Sequence, residues 1–493
     1  MQLMTQIKNK MQALLYTDHS QLNTAYEELM SIFISIIVVS IVGFAILKKY
    51  NAIATLFLGA AVLMAVCAIM GLPVIPEAKS SGSAWLDIFE AMNIMFNNRF
   101  GGMGLILFSL LAYARYMTYI GANDIVINNA LRLLGGINKP YLLLAVTFLI
   151  GSFISLAGFG ATSLAVLLMS TLFPVLNALG LPAISIAAAI ATTATISFSP
   201  LAVDSVIAAE NVGMSVEIYT LKYQIPLAIP SMLAMAAAHY FWQQYMDKKQ
   251  GLLQQSNSKK VDLKNVDVRT AEVEGKAPGF YGWLPMLPII VLIVTSGELG
   301  LVEGVTMNIG TIAILCLFTA MALEAIRHRS GRSAMEGMSA IVKGMEDALP
   351  VVLILVGAGV FAQGLKAIGA ITMLIETASQ VGFGATAMML ALVGLTGAVA
   401  FLTGSGNAAF YAFVELIPKI ADGMGINGVY LVMPMQQASN ACRAMSPVAG
   451  VIVASSGMAK VSPFDLIKRT IPPITFGLAV NIILSIIFLP MAL

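Results

Sequence analysis

Charge is what this sequence has least of. Asp, Glu, Lys and Arg together make up 11% of its 493 residues, where a soluble protein carries about 25%. Cysteine and histidine each occur three times. Cys67, Cys316 and Cys442 stand singly in apolar runs, which excludes a disulfide framework and a paired-cysteine metal site. His19, His239 and His328 lie at ligand spacing from no cysteine or carboxylate, so zinc chemistry has no ligand set. No Gly-x-x-x-x-Gly-Lys-Ser/Thr segment occurs, and a phosphate loop is thereby excluded as a source of ATP-driven work. An enzyme needs convergent acids, bases or metal ligands, and no such cluster is written here. No cofactor, no metal and no nucleic-acid partner is expected.

What the chain has in quantity is apolar surface. Hydrophobic residues make up 58% of it and its mean hydropathy is +0.87. The expected fold is an all-α polytopic membrane protein, with element lengths set by the bilayer. Runs long enough to span lie near 29–47, 52–70, 104–121, 183–206, 225–242, 283–297, 307–326, 349–365, 430–453 and 472–492. Residues 1–28 form a polar lead with no cleavable signal pattern.

Two further pairs of runs, 141–156 with 161–179 and 385–402 with 407–420, are each split by glycine. The splits read Gly158-Phe159-Gly160-Ala161-Thr162-Ser163 and Thr403-Gly404-Ser405-Gly406-Asn407. Each pair reads as a re-entrant helical hairpin, the alternative being two ordinary spans and a short turn. Some forty residues after each tip comes a second break, Ser199-Pro200 and Ser446-Pro447. Breaks at membrane depth are tolerated where the freed backbone lines a protein cavity. Matched breaks in two halves of a chain point to a carrier's binding site.

The halves also keep register. Ile120 recurs as Ile368, Gly158 as Gly404, Ser199 as Ser446, Gly213 as Gly457, and Lys222 with Pro226 as Lys468 with Pro472; offsets run from 244 to 248. Between the repeats the number of crossings is odd with the hairpin counted either way, so the repeats are predicted to be inverted. The expected organisation follows: a scaffold part at 29–140, a transport part with hairpin and broken helix at 141–242, a cytoplasmic linker at 243–282, then a second scaffold part at 283–384 and a second transport part at 385–493. The linker carries Lys248, Lys249, Lys259, Lys260, Lys264, Arg269 and Lys276. With Lys460, Lys468 and Arg469 on the same side, the positive-inside rule places both termini outside, while the loop with Glu298 and Glu303 falls outside as well.

Polar atoms at mid-membrane depth are the candidate ligands. The first half supplies Gly160, Thr162, Ser163, Thr195, Ser197 and Ser199; the second supplies Thr403, Gly404, Ser405, Gly406, Asn407, Asn440 and Ser446. Interrupted helices leave free N–H groups and a partial positive charge at their next start, a setting for carboxylates. A lone hydroxyl, by contrast, often bonds back to its own helix. Arg443 lies three residues before Ser446 in an uncharged run; it is either a carboxylate ligand or half of a structural ion pair. Asp204, at nearly the matching place in the first half, has three open roles: binding a coupling cation, carrying a proton, or neutralising Arg443. Glu415 has Lys419 at helix spacing, and reads as a plain pair.

The sequence from about residue 29 onward resembles the anaerobic C4-dicarboxylate carriers of the Dcu type, C subfamily. The stretches that carry the resemblance are Tyr119-Ile120-Gly121-Ala122-Asn123-Asp124, Thr403 to Asn407 with Phe410 to Glu415, Gln437 through Arg443 to Val448, and Gly457-Met458-Ala459-Lys460. It departs from the family at the first tip, where Phe159-Gly160-Ala161-Thr162 replaces a Ser-Ser-Ala-Thr-like sequence. The resemblance implies the ion-transporter superfamily: inverted repeats, a homodimer joined through scaffolds, an elevator-type movement, and succinate, fumarate or malate as substrate with succinate export. Carriers of citrate, an amino acid or an acyl-aminobenzoate share such an architecture. The coupling ion, H+ or Na+, is not written in the sequence.

Overall fold

In lipid a backbone N–H has no water to bond, so a spanning segment closes its hydrogen bonds internally. Accordingly, every regular element among the described residues of the computed structural model is a helix. The structure describes residues 19–48, 50–134, 137, 139–252, 277–296, 302, 305, 307–370 and 384–491. Residues 1–18 of the lead, 253–276 of the linker, and Glu298 and Glu303 lie outside these. Among the described residues, nine helical stretches are long and apolar enough to cross a membrane.

The helices in chain order are α1 (His19–Leu47), α2 (Ala52–Ile69), α3 (Asp87–Arg99), α4 (Leu105–Tyr119), α5 (Ala122–Leu134), α6 (Pro140–Ile154), α7 (Ala161–Ala178), α8 (Ala183–Ala191), α9 (Val203–Asn211) and α10 (Ile225–Lys249). The second half contributes α11 (Leu287–Val294), α12 (Ile309–His328), α13 (Met338–Ala367), α14 (Ala385–Thr403), α15 (Gly406–Val414), α16 (Ile417–Met424), α17 (Gly428–Arg443), α18 (Gly450–Ala459) and α19 (Pro463–Phe488).

Contacts divide the chain into two units. The smaller joins residues 1–96 to 356–383. Its α2 buries Leu56, Ala60, Leu63 and Met64, with Gly357 against Leu56 and Gly364 against Leu63. Gln363 Nε2 donates to the Val74 carbonyl at 2.8 Å. The larger unit, residues 97–355 and 384–493, holds every break described below.

Several spans are longer than the hydropathy runs. The run at 104–121 begins at Asp87, because α3 passes into α4 through a π-turn, Phe100–Gly104. The run at 225–242 extends over Val216–Lys249 through a second π-turn, Tyr219–Gln224. In both, polar residues that end an apolar window on paper lie within continuous helix.

The two halves of the larger unit repeat one plan. Each has a helix, a glycine tip, a returning helix, a further helix, a Ser-Pro break and a resumed helix: α6-α7-α8-α9 and α14-α15-α17-α18, with α16 inserted between α15 and α17 in the second. At the tips Gly158 and Gly404 have φ of +80° and +73°, a region that costs an L-residue roughly 1–2 kcal/mol. A Cβ at Gly158 would sit 3.3 Å from Leu201, and one at Gly404 would sit 2.8 Å from the Ala449 nitrogen. Each tip thus rests on the break of its own half. The breaks themselves are the same turn: Ser199 Oγ accepts from Leu201 N at 3.1 Å, and Ser446 Oγ accepts from Val448 N at 3.4 Å. The intervening proline, Pro200 or Pro447, has no N–H to offer a helix. The halves also pack reciprocally, α7 against α18 and α9 against α15.

Gly404→Ala meets both obstacles at once, a positive φ and backbone inside contact distance. It is expected to destabilise the protein by about 2 kcal/mol or more, read as a lowered thermal-unfolding midpoint in detergent. An unchanged midpoint would show that the tip does not rest on the break.

Candidate functional site

Three features converge on one cavity of about 330 Å³ in the larger unit: the first tip, the first break and the inner ends of α15 and α17. Its volume lies at the small end of the range for ligand sites, roughly 300–1,000 Å³. Gly160, Ser163, Ser197, Ser199, Asp204, Asn407, Asn440 and Arg443 all line it. These come from both halves of the sequence, and only the fold brings them together.

The break between α8 and α9 frees backbone groups, and α17 satisfies them with side chains. Gln437 accepts from the Ser197 N–H at 2.9 Å and donates back to the Ser197 carbonyl at 2.7 Å. Arg443 Nη2 donates to the Ala194 carbonyl at 3.1 Å. Ser199 Oγ donates to the Leu156 carbonyl at 2.6 Å, tying the break to the first tip. Such partners are what a buried, interrupted helix requires.

Asp204 is held by amides. Its Oδ2 accepts from Asn440 Nδ2 at 2.6 Å and from Gln436 Nε2 at 2.9 Å, and its Oδ1 accepts from Ser197 Oγ at 3.4 Å. Gln436 in turn accepts from the Tyr219 hydroxyl at 2.7 Å and from Gln224 Nε2 at 3.2 Å. Both of these donors lie in the π-turn before α10. Asp204 forms no direct ion pair with Arg443, though it acts on it electrostatically. No described carboxylate lies within ion-pairing distance of Arg443. Its Nη1 contacts Asn407 Oδ1 at 3.5 Å, and its Nε is buried without a hydrogen-bond partner among the described residues. An arginine fork with unspent donors in a cavity wall suits a carboxylate.

The helix starts differ in a way that matters for anions. The N-termini of α7 and α9 face the cavity with no side-chain cap, at Gly160 and Ala202. The start of α15 is capped by its own Ser405, which accepts from Ala408 N at 3.3 Å. Free N–H groups at a helix start favour negative charge.

The other predicted ligands lie off the cavity wall. Thr195 donates to the Thr192 carbonyl at 2.7 Å. Thr403 donates to the Val399 carbonyl at 2.7 Å. Ser405 is spent as a cap, and Ser446 on its turn. Gly404 and Gly406 are packing positions, the latter facing the Ser439 carbonyl. Thr162 lies against Gly450. The hydroxyls of Thr195, Thr403, Ser405 and Ser446 bond to nearby backbone, which short polar side chains do readily.

Four arrangements were not readable from the sequence. Tyr411 lines the cavity, is wholly buried, and its hydroxyl has no partner among the described residues. Its spacing of four from Asn407 on α15 was the available signal. Asp347 of α13 also lines the cavity. Glu415 takes Arg99 as its ion-pair partner, and Glu210 lies 3.7 Å from the same guanidinium. Lys419, the partner expected from helix spacing, also acts electrostatically on Glu415. Arg469, counted above among the positive charges outside the bilayer core, is wholly buried and pairs with buried Asp247 at 2.7 Å.

A multi-span helical protein with a small polar cavity, walled by interrupted helices and holding a charged residue with unspent donors, is a membrane carrier by class. The comparisons narrow this. Residues 30–490 match the DcuC family, C4-dicarboxylate anaerobic carrier. The chain is 42% identical over 466 residues to the probable anaerobic C4-dicarboxylate transporter DcuC of Vibrio cholerae, covering 94% of this chain and 99% of that protein. It is 42% identical over 457 residues to the anaerobic C4-dicarboxylate transporter DcuC of Escherichia coli K12, covering 92% and 96%. Among solved structures, MtrF of Neisseria gonorrhoeae, presented as illuminating a class of antimetabolite efflux pumps, superposes with a TM-score of 0.59 at 14% identity over 89% of this chain and 96% of that one. YdaH of Alcanivorax borkumensis, presented as having an unusual topology, gives 0.58 at 14% identity over 88% and 97%. At such identity these two speak for the fold alone. The chain belongs to the DcuC family of C4-dicarboxylate anaerobic carriers; it is a membrane transporter and not an enzyme.

Proposed function

We propose that the protein carries C4-dicarboxylates, namely succinate, fumarate or malate, across a bacterial inner membrane by secondary transport, with succinate efflux or exchange as its direction of work. The observation that carries this reading is Arg443: a guanidinium in the cavity wall with no carboxylate partner of its own among the described residues. One carboxylate of the substrate binds there. The other faces the uncapped starts of α7 and α9, with Ser163 and Ser197 beside them. The first tip, Gly158 to Ser163, closes over it.

The mechanism is an elevator-type movement. Residues 29–140 and 283–384 serve as scaffold, and 141–242 and 385–493 as transport parts. The tips are re-entrant and the repeats inverted; the matched order of elements and the reciprocal packing of α7 with α18 and α9 with α15 support this. The working unit is a homodimer with both termini in the periplasm.

Energetics fix the sense of coupling. One charge crossing 100 mV is worth about 2.3 kcal/mol. A dianion leaving a negative interior gains roughly 4–5 kcal/mol at that potential, so export proceeds without a coupling ion. Uptake requires cations or exchange. The cavity lining supports that requirement, because Asp204 and Asp347 outnumber Arg443 before any substrate enters. Asp204 is the coupling group in this reading, taking H+ or Na+.

Counterflow of labelled succinate in proteoliposomes tests the function, run against citrate, an amino acid and an acyl-aminobenzoate. Preference for one of these three over succinate would overturn the substrate. Sodium and pH varied independently identify the ion. Asp204→Asn is expected to retain exchange while net uptake loses its ion dependence. Unchanged ion dependence would remove Asp204 from coupling.

A further inference from the structure

Most polar groups in the cavity wall are already spent. Asp204 accepts from Asn440, Gln436 and Ser197. Both backbone groups of Ser197 are taken by Gln437. Ser199 Oγ donates to one backbone group and accepts from another. Two buried donors in the wall remain without partners among the described residues: the Tyr411 hydroxyl and Arg443 Nε. Tyr411 has no exposed surface at all, and its ring is fixed edge-on against Phe410, with centroids 5.9 Å apart.

A buried polar group without a partner calls for an explanation. A hydroxyl kept dry and unpaired at a cavity wall is costly unless a ligand completes it. An O–H and a guanidinium N–H, both buried in residues that line the same cavity and both lacking acceptors among the described residues, are complemented by an oxyanion with two acceptor oxygens. Asn407 stands between them in the sequence logic of the site: it contacts Arg443 at 3.5 Å and precedes Tyr411 by four residues, one helical turn, on α15. Tyr411 and Arg443 also lie close enough to act on one another electrostatically.

We propose that Tyr411 is a substrate-contacting residue whose hydroxyl donates to the same carboxylate that Arg443 binds, and so sets affinity for the dianion. This deepens the dicarboxylate reading and rests on it. The hydroxyl gives the carboxylate a second, directional donor that a point charge does not supply. Binding strengthens because a buried donor gains its missing acceptor.

Tyr411→Phe deletes the oxygen and keeps the ring. Three readouts follow in purified, reconstituted protein. The thermal-unfolding midpoint without substrate is unchanged or raised, because the deleted oxygen has no hydrogen-bond partner among the described residues. The rise in midpoint on adding succinate shrinks. The KM for succinate counterflow rises about ten- to hundred-fold, the value of one hydrogen bond to a charged group, with a smaller change in maximal rate. A lowered midpoint with unaltered KM would make the hydroxyl structural and overturn the proposal. An unaltered KM and an unaltered succinate-induced shift would overturn it equally. These outcomes differ from failure of the dicarboxylate reading, in which wild-type protein itself neither transports succinate nor is stabilised by it.

Discussion

Arg443→Ala is expected to abolish succinate flux in reconstituted protein while the protein remains folded. The guanidinium offers a charge-assisted fork to a carboxylate, worth about 1.5–3 kcal/mol per hydrogen bond. Losing two such bonds raises KM by at least about a hundred-fold, beyond the range in which counterflow is measurable. Folding is affected much less, for a specific reason. Arg443 has no carboxylate within ion-pairing distance among the described residues, so its removal breaks no direct ion pair, although buried Asp204 loses a nearby positive charge. It does free the Ala194 carbonyl, and a modest fall in the thermal midpoint, equivalent to about 1–3 kcal/mol, follows from that. Arg443→Lys keeps the charge and loses the fork, and is expected to recover only part of the activity. Near-wild-type flux in the alanine variant would remove Arg443 from the substrate site.

Arg469→Met is expected to do the opposite, costing the fold rather than the transport chemistry. Arg469 Nη1 lies 2.7 Å from Asp247 Oδ1, and both side chains are wholly buried. The pair is embedded in further bonds. Asp247 accepts from Ser185 at 2.7 Å and from Tyr141 at 3.0 Å, while Arg469 donates to Gln250 at 2.5 Å and Gln243 at 3.3 Å. Breaking such a pair from one side leaves an uncompensated buried charge and costs about 3–5 kcal/mol. Replacing both partners with apolar residues of similar volume is often close to neutral. Arg469→Met alone should therefore lower the thermal midpoint sharply, and Arg469→Met with Asp247→Leu should recover most of it. A double-mutant cycle measures the coupling. A cost below about 1 kcal/mol for the single variant would mean that the pair contributes little to the fold.

The two arginines show what a linear reading reaches and what it misses. Arg443 was recognisable because it interrupts an uncharged run, and charge inside lipid is costly wherever it occurs. Arg469 follows Lys468 at the start of a span and looks like an ordinary snorkelling cation. Its partner is on α10, more than two hundred residues earlier in the chain. Nothing local to Arg469 distinguishes it from an anchor. The same holds for hydroxyls. Thr195, Thr403, Ser405 and Ser446 sit at the breaks as a binding site would have them, yet each is spent on nearby backbone. Tyr411, in a stretch that reads as plain apolar helix, lines the cavity with an O–H that has no partner among the described residues.

By itself the sequence determined the solvent and the points of interruption. Low charge and long apolar runs require helices in a membrane, because backbone polar groups must be satisfied within each segment. Ser-Pro and glycine tips at matched offsets place the breaks, because proline lacks an N–H and positive φ favours glycine. Both effects act within a few residues and are written locally. Only the tertiary structure decided which polar groups remain available in the cavity. That depends on which atoms meet across the fold, as when α17 binds the freed backbone of the first break, and such long-range pairing leaves no periodic trace in the chain.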